Sequence, residues 1–502
     1  MPINFIPNDP KASGGPPMRH KAPRADRTTT VAGFTYVAHA PAALHPLGDP
    51  EFLFWQSREA ALAAVATYEA LAGKKVARWA RSTPRRKLDL QPNEGVDLNA
   101  YYNGQSLSFF EYSTGAKTTW SGASTDVVAH EAGHALLDQS RPDLWDSSYT
   151  ETNAFHEAFG DCMAILTTCA DSATRANVRT KIRRQNFVEA TAEDLSDGVR
   201  RALGASHPAS QPRRARNTFR WALPTSLPTS GPPSVLSSEV HSFARIFTGC
   251  FYDTILNILR ARLGSSRTPS AAQLDDAVRT AGKLLVRAAA EAPEAVRFFQ
   301  SVGRAMVLAD EDTNGGSNGL AIRDAFRKHN IALGSAAMLA PASALAGSMG
   351  RATGGRGMLS GSALQDLRKR LRAAPGERLV MRALEIGGRR VVCATHWRHV
   401  SLGRLDDRLK GVFAVAPQPV LVEAVNRTPA ILGGLPEAMA GDDEVKTFVG
   451  SLLASNRIAF EGTSARYGIK AAAKQDTRLR LPTHAVYKVG STKVLRRVRF
   501  AC

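Results

Sequence analysis

The sequence predicts an α+β fold, and three observations carry that expectation. Between residues 49 and 333, several long stretches repeat apolar residues at helical spacing. An alternating, aromatic-rich segment, "VDLNAYYNGQSLSFFEY" (96–112), has Asn103-Gly104 at its middle, the signature of a strand-turn-strand unit. Beyond residue 364, short runs such as "RLVMRALEI", "RRVVCATHW", "GVFAVAP", "PVLVEAV" and "HAVYKVG" read as strands of a separate, smaller α+β domain. A chain of 502 residues is too long for one small core. The expected division is a disordered basic arm (1–48), a main domain (49–333), a linker (334–363) and a basic accessory domain (364–502).

Each element has a local reason. The arm is rich in Pro, Gly, Lys and Arg. A long helix follows within 49–80, centred on 57–72 and stopped by Gly73. The next helix, 124–138, can be capped by Ser124 or Thr125 and carries Val127, Val128, Ala135, Leu136 and Leu137. Another helix covers 151–166, with Ala154, Phe155, Ala158, Phe159 and Cys162 near one stripe. Residues 204–234 are of low complexity and read as a long surface loop. Helical patterns resume at 238–262, 271–290, 293–308 and 319–331, and the Ala/Gly/Ser/Met-rich stretch 334–363 lacks periodicity.

Composition narrows the class. Hydrophobic residues make up 43% and charged residues 22%, as in ordinary globular proteins. No apolar run approaches the length of a membrane span, and the first residues lack the apolar stretch of a secretory signal. Five scattered cysteines suit free thiols in a reducing compartment. The expected location is therefore the cytoplasm, or the exterior by a route without a classical signal. Residues 364–502 hold 25 Lys/Arg against 12 Asp/Glu, a large part of the net charge of +20. That balance suits an acidic protein, an envelope surface or nucleic acid, and equally a solvated basic face.

The segment "TDVVAHEAGHALLD" (125–138) carries the chemistry. On a helix, His130 and His134 stack on one face about 6 Å apart, so both rings reach one metal ion. Glu131, one residue round, can touch a water on that ion without ligating it. Two neutral nitrogens and a carboxylate base are what a zinc protease needs. The plainer alternative is a helix that happens to hold two histidines. Burying them with a glutamate in so apolar a stretch would be costly without a partner. A third ligand is required, and Glu157 on the following helix is the best candidate. Asp161, one turn on, could accept the outer N–H of a ligating histidine and fix its tautomer.

"DVVAHEAGHALLD" followed by "NAFHEAFGD" resembles the thermolysin-like (gluzincin) zinc metallopeptidases. "NAYYNG" (99–104) is similar to the family's substrate-pairing edge strand, and "SSEVHSFARIFTGCFYDTI" (237–255) to the helix of its second catalytic histidine. The resemblance spans about residues 50–332. It implies a two-lobed zincin with a mostly helical C-terminal lobe, acting as an endopeptidase on protein or peptide substrates. His130, His134 and Glu157 would hold one catalytic Zn2+, and Glu131 would be the general base. His241 would donate to the oxyanion, while Asn99 and Ala100 would pair with the substrate backbone.

The sequence departs from that pattern in places. The aspartate expected five residues before the second histidine falls at Leu236, leaving Glu239 as a substitute. Asp126 matches a calcium position, but its partner falls at Thr168, which argues against structural calcium. Arg213 sits at a plausible spacing for an arginine that contacts substrate. His396 and His399 ("THWRH") lack carboxylate or cysteine neighbours in sequence, and "GRATGGRG" (350–357) lacks the residues of a phosphate loop. The competing function is a catalytically silent binding protein whose basic C-terminal domain recruits an acidic partner or nucleic acid. Intact Glu131 argues for the enzyme.

Overall fold

A computed structural model describes residues 1–81, 87–264, 268–334, 361–386, 389–425, 428–434, 441–460 and 481–501. It is mixed α and β, as the sequence predicts. The first half contains β1 (Ile3–Phe5), β2 (Arg19–Lys21), β3 (Gly33–Tyr36), α1 (Pro50–Ala72), β4 (Lys87–Gln91), β5 (Ala100–Tyr102), β6 (Ser106–Phe109), β7 (Glu111–Thr114), β8 (Lys117–Trp120), α2 (Thr125–Ser140), α3 (Thr150–Ala170), α4 (Ser172–Val178), β9 (Ala190–Thr191), α5 (Glu193–Leu203) and β10 (Arg213–Arg214). Four helices follow: α6 (Val240–Arg262), α7 (Ala271–Glu291), α8 (Phe298–Asn314) and α9 (Gly319–Lys328). The last part holds α10 (Gly361–Arg370), β11 (Arg378–Ile386), β12 (Arg389–Ser401), β13 (Val412–Val425), β14 (Thr428–Gly434), α11 (Asp442–Ala454), β15 (Ile458–Ala459), β16 (His484–Val489), β17 (Thr492–Arg497) and β18 (Phe500–Ala501).

Local signals act as expected in the main domain. Pro50 opens α1, and Gly73 closes it at φ 68°, a left-handed conformation that glycine adopts without strain. The β5–β6 hairpin turns at Asn103-Gly104, where the Asn103 side-chain oxygen accepts the Gln105 and Ser106 N–H groups at 2.9 and 2.8 Å. A five-stranded mixed sheet runs in the order β18-β5-β6-β4-β3. α2 packs on α1 and β5 on one side and on α3 on the other, and α3 packs in turn on α6, α7 and α8. One apolar core joins the sheet to these helices.

The N-terminal arm is ordered, contrary to its composition. Ile3, Phe5 and Ile6 are buried, and β1 pairs with β2. The Gln56 amide bonds the backbone N–H and carbonyl of Ile6 at 2.8 and 2.9 Å. The Asn8 carbonyl accepts the Thr125 N–H at 2.7 Å. Residues 3–9 thus have both an apolar cover and backbone partners between α1 and α2, so order there costs little. A Pro/Gly/Lys-rich flank hid three apolar residues.

The C-terminal region is likewise tied to the main domain. Its core includes Tyr149 and Val296, and Arg297 pairs with Glu444 at 2.5 Å. Its chain then returns to the first sheet, where β18 runs antiparallel to β5. The expected linker lies mostly outside the described residues, and α10 begins inside its last part. Two strands expected at 411–417 and 419–425 are one strand, β13. Its prolines, Pro417 and Pro419, face β12 in register, while β17 and β14 pair with β13 only on either side of them. Prolines are tolerated where no second ladder needs their missing N–H. No helix among the described residues is long and apolar enough to cross a membrane.

Candidate metal centre

α2 and α3 meet where neither tolerates a side chain. A Cβ on Gly133 would lie 2.9 Å from the Gly160 Cα, and one on Gly160 would lie 2.7 Å from the His130 ring. This close approach lets side chains from two helices share one point. His130 Nε2 and His134 Nε2 lie 3.1 Å apart, and Glu157 Oε2 lies 3.4 and 3.6 Å from them. All three side chains are buried. Among the described residues, they form a group able to hold a metal ion.

The surroundings orient each of these side chains. His130 Nδ1 faces Asp161 Oδ1 at 2.9 Å, and Arg213 Nη2 donates to the same oxygen at 2.9 Å. Burial works to raise the Asp161 carboxyl, but Arg213 and His130 outweigh it and hold it below the usual carboxylate range. As an acceptor only, Asp161 keeps the proton on Nδ1 and leaves the Nε2 lone pair facing the centre. Arg213 is thereby committed to Asp161, while it also lines the neighbouring cleft. Burial pulls the His134 pKa down to about 4, so its ring is neutral near pH 7 and free to ligate. Its Nδ1 approaches His156 Nδ1 at 3.4 Å. Burial opposes the Glu157 charge too, but His241 and His134 hold its pKa well below the ordinary value.

Glu131 is buried on α2 beside His130. His241, in the first turn of α6, reaches the opposite side of the group, with Nε2 3.3 Å from Glu157 Oε2. Its Nδ1 meets Glu239 Oε1 at 2.6 Å, and its Nε2 meets the Ala501 carbonyl at 3.0 Å. Burial works to raise the Glu239 carboxyl, yet His241 and the Ser242 N–H bring it down to about 2. Both ring nitrogens therefore face acceptors, and the imidazolium is favoured: burial opposes it, but Glu157 and Glu239 prevail and the His241 pKa rises. Glu239, two residues before His241, thus fixes the orientation of its ring.

A cleft of about 690 Å³ leads away from His241, lined among others by Leu98, Asn99, Arg213, Arg245 and Arg457. Asn99 is buried at its wall, and its side chain accepts the Ala100 N–H at 3.0 Å. Ala100 pairs with Phe109 of β6, and the other edge of β5 is occupied by β18. Three contributors escaped the sequence reading: His156, Arg497 and Phe500. The Phe500 ring stacks on His156 at 4.0 Å and on His134 at 4.5 Å, with the Arg497 guanidinium 3.9 Å above it. The doublet His156-Glu157 was the available signal for the first; the other two lie some 340 residues on and gave none.

Asp126 spends its oxygens on the Val127 and Ala192 N–H groups and the Ser124 hydroxyl. His396 pairs with Glu377 at 2.7 Å, a carboxylate neighbour that spacing did not reveal. "GRATGGRG" lies outside the described residues. Cys162, Cys169 and Cys250 are free and buried. No family model matches the chain, and a search of curated proteins finds no match.

Proposed function

We propose that the chain is a zinc-dependent endopeptidase of the thermolysin-like class. The observation that carries this reading is the convergence of His130 Nε2, His134 Nε2 and Glu157 Oε2 to 3.1–3.6 Å, with His241 against Glu157 and Glu131 buried next to His130 on α2. Zinc fits the set: bonds of about 2.1 Å in a tetrahedron imply ligand-to-ligand edges of about 3.4 Å. Two neutral imidazoles and one carboxylate leave a fourth position for water or substrate, as a catalytic site requires. The ion would supply Lewis acidity toward a carbonyl and a water.

The rest falls to side chains. Glu131 accepts the proton of the attacking water and passes it to the leaving amine. His241, held by Glu239, donates a hydrogen bond to the oxygen on which negative charge develops. Asp161 and Arg213 keep His130 in the ligating tautomer. The β5 edge that β18 covers would serve an extended substrate backbone once β18 leaves it, and the cleft beside Asn99 would accept the side chains. The test is metal analysis of the purified chain with casein cleavage measured before and after a chelator. One zinc per chain and chelator-sensitive cleavage are expected. Protein made with adequate zinc that contains none overturns the reading.

A further inference from the structure

We propose that residues 498–501, which follow β17 and end in β18, fill the substrate-pairing edge of the cleft as an internal, substrate-like strand that keeps the peptidase site closed. The inference rests on the endopeptidase reading and adds its regulation. Three contacts point to it. β18 pairs antiparallel with β5, Phe500 opposite Tyr102 and Ala501 opposite Tyr101, as an added peptide strand would. The Ala501 carbonyl accepts from His241 Nε2 at 3.0 Å, the donor assigned to a substrate carbonyl oxygen. Phe500 is fully buried against the His134 and His156 rings, where a substrate side chain beside the ligands would sit.

The segment is held firmly yet imperfectly. Trp145 Nε1 donates to the Arg497 carbonyl at 3.2 Å, and the Arg497 guanidinium bonds Asn153. Against this, Arg499 Nε and Nη1 are buried without hydrogen-bond partners among the described residues. A strand selected for stability alone gains nothing from burying unsatisfied guanidinium donors. A strand that must leave the cleft tolerates them. Tethering explains why such a strand suffices: an attached segment acts at an effective concentration on the order of mM, above that of most free peptides. The segment also reports the substrate class, an extended peptide with an aromatic residue placed over His134 and His156.

The test compares the metal-loaded full chain with Phe500→Gly, which removes the ring, and Ala501→Pro, which disrupts the β5 ladder but keeps it. Both variants should retain metal and circular dichroism and cleave casein about tenfold faster or more. The octapeptide VLRRVRFA should inhibit them, and VLRRVRGA should not. Folded, metal-loaded variants no faster than an active parent overturn the inference and leave the peptidase reading standing. Loss of secondary structure in both variants makes the strand structural and also overturns it. If no form cuts casein, calorimetry decides. VLRRVRFA binding to the variants but not to the parent keeps the closed cleft without the peptidase; binding to neither removes it.

Discussion

α2 and β12 each carry two histidines within five residues, and their fates differ. On α2, His130 and His134 are four apart, and one helical turn brings their Nε2 atoms to 3.1 Å. On β12, His396 and His399 are three apart, an odd spacing that turns them to opposite faces of the strand. His396 pairs with Glu377, whereas the His399 ring lies near Phe413, 5.9 Å between centroids. Spacing acquires meaning only through the element that carries it. A second difference follows: α3 brings two acids to the α2 histidines, Asp161 to His130 Nδ1 and Glu157 to both Nε2 atoms, while a single acid, Glu377, serves β12 through the His396 ring and the His399 N–H.

The sharpest way to break the comparison is to remove one histidine from each region. His134→Ala should lose the metal and all hydrolysis. His396→Ala should keep both and lose about 1–3 kcal/mol of stability, because Glu377 stays buried with a lost partner. Metal analysis and urea melts of the two proteins check this, and equal metal loss would end the distinction. Next in size, Glu131→Gln should cut casein hydrolysis about 10²–10⁴-fold with zinc unchanged, the loss of a general base that does not ligate. Zinc that departs with this substitution would make Glu131 a ligand.

Within the α2–α3 site, a chelator competition separates ligand from orienting group. Glu157→Ala should weaken zinc more than Asp161→Asn, which should cost about 10–100-fold. The reverse order would mean that the third ligand is misassigned. The smallest effect contrasts two buried acids. Burial raises Glu151 to about 7, despite Arg297 and the Phe299 N–H, so its contribution is full below about pH 4.5 and lost as pH rises through about 7. Burial would raise Glu377 as well, but the His399 N–H and His396 hold it below the ordinary value. Its contribution therefore survives above the unfolded pKa and is lost as pH falls through the folded one. Glu151→Gln should flatten the stability loss between pH 5 and 8, an effect on the order of 1–3 kcal/mol. Urea melts of both proteins at those two values check it, and parallel losses would remove Glu151 as the cause.

What the sequence disclosed follows the same logic. α1, α2, α3 and α6 were legible because long apolar periodicity and signals such as Pro50 and Gly73 agree locally. His130, His134 and Glu157 were legible because α2 and α3 are neighbours in the chain. Glu239 could be named but not placed, since its bond to His241 depends on the first turn of α6. The docking of β1 escaped because the residue that follows it, Ile6, is held by Gln56 and Thr125, distant in sequence. β18 escaped for a stronger reason: two residues make no pattern, and their partner strand lies 400 positions upstream.

The place of β18 in its sheet has a consequence during manufacture. A ribosome releases β3, β4, β5 and β6 long before residues 498–501 exist, and the candidate metal group is complete by residue 157. The helices and four strands can assemble on the nascent chain, while the β5 edge waits for the strand that covers it. An unpartnered edge invites other strands. The growing polypeptide thus passes through an interval in which its own unfolded stretches, or a chaperone, are the nearest candidates for that edge.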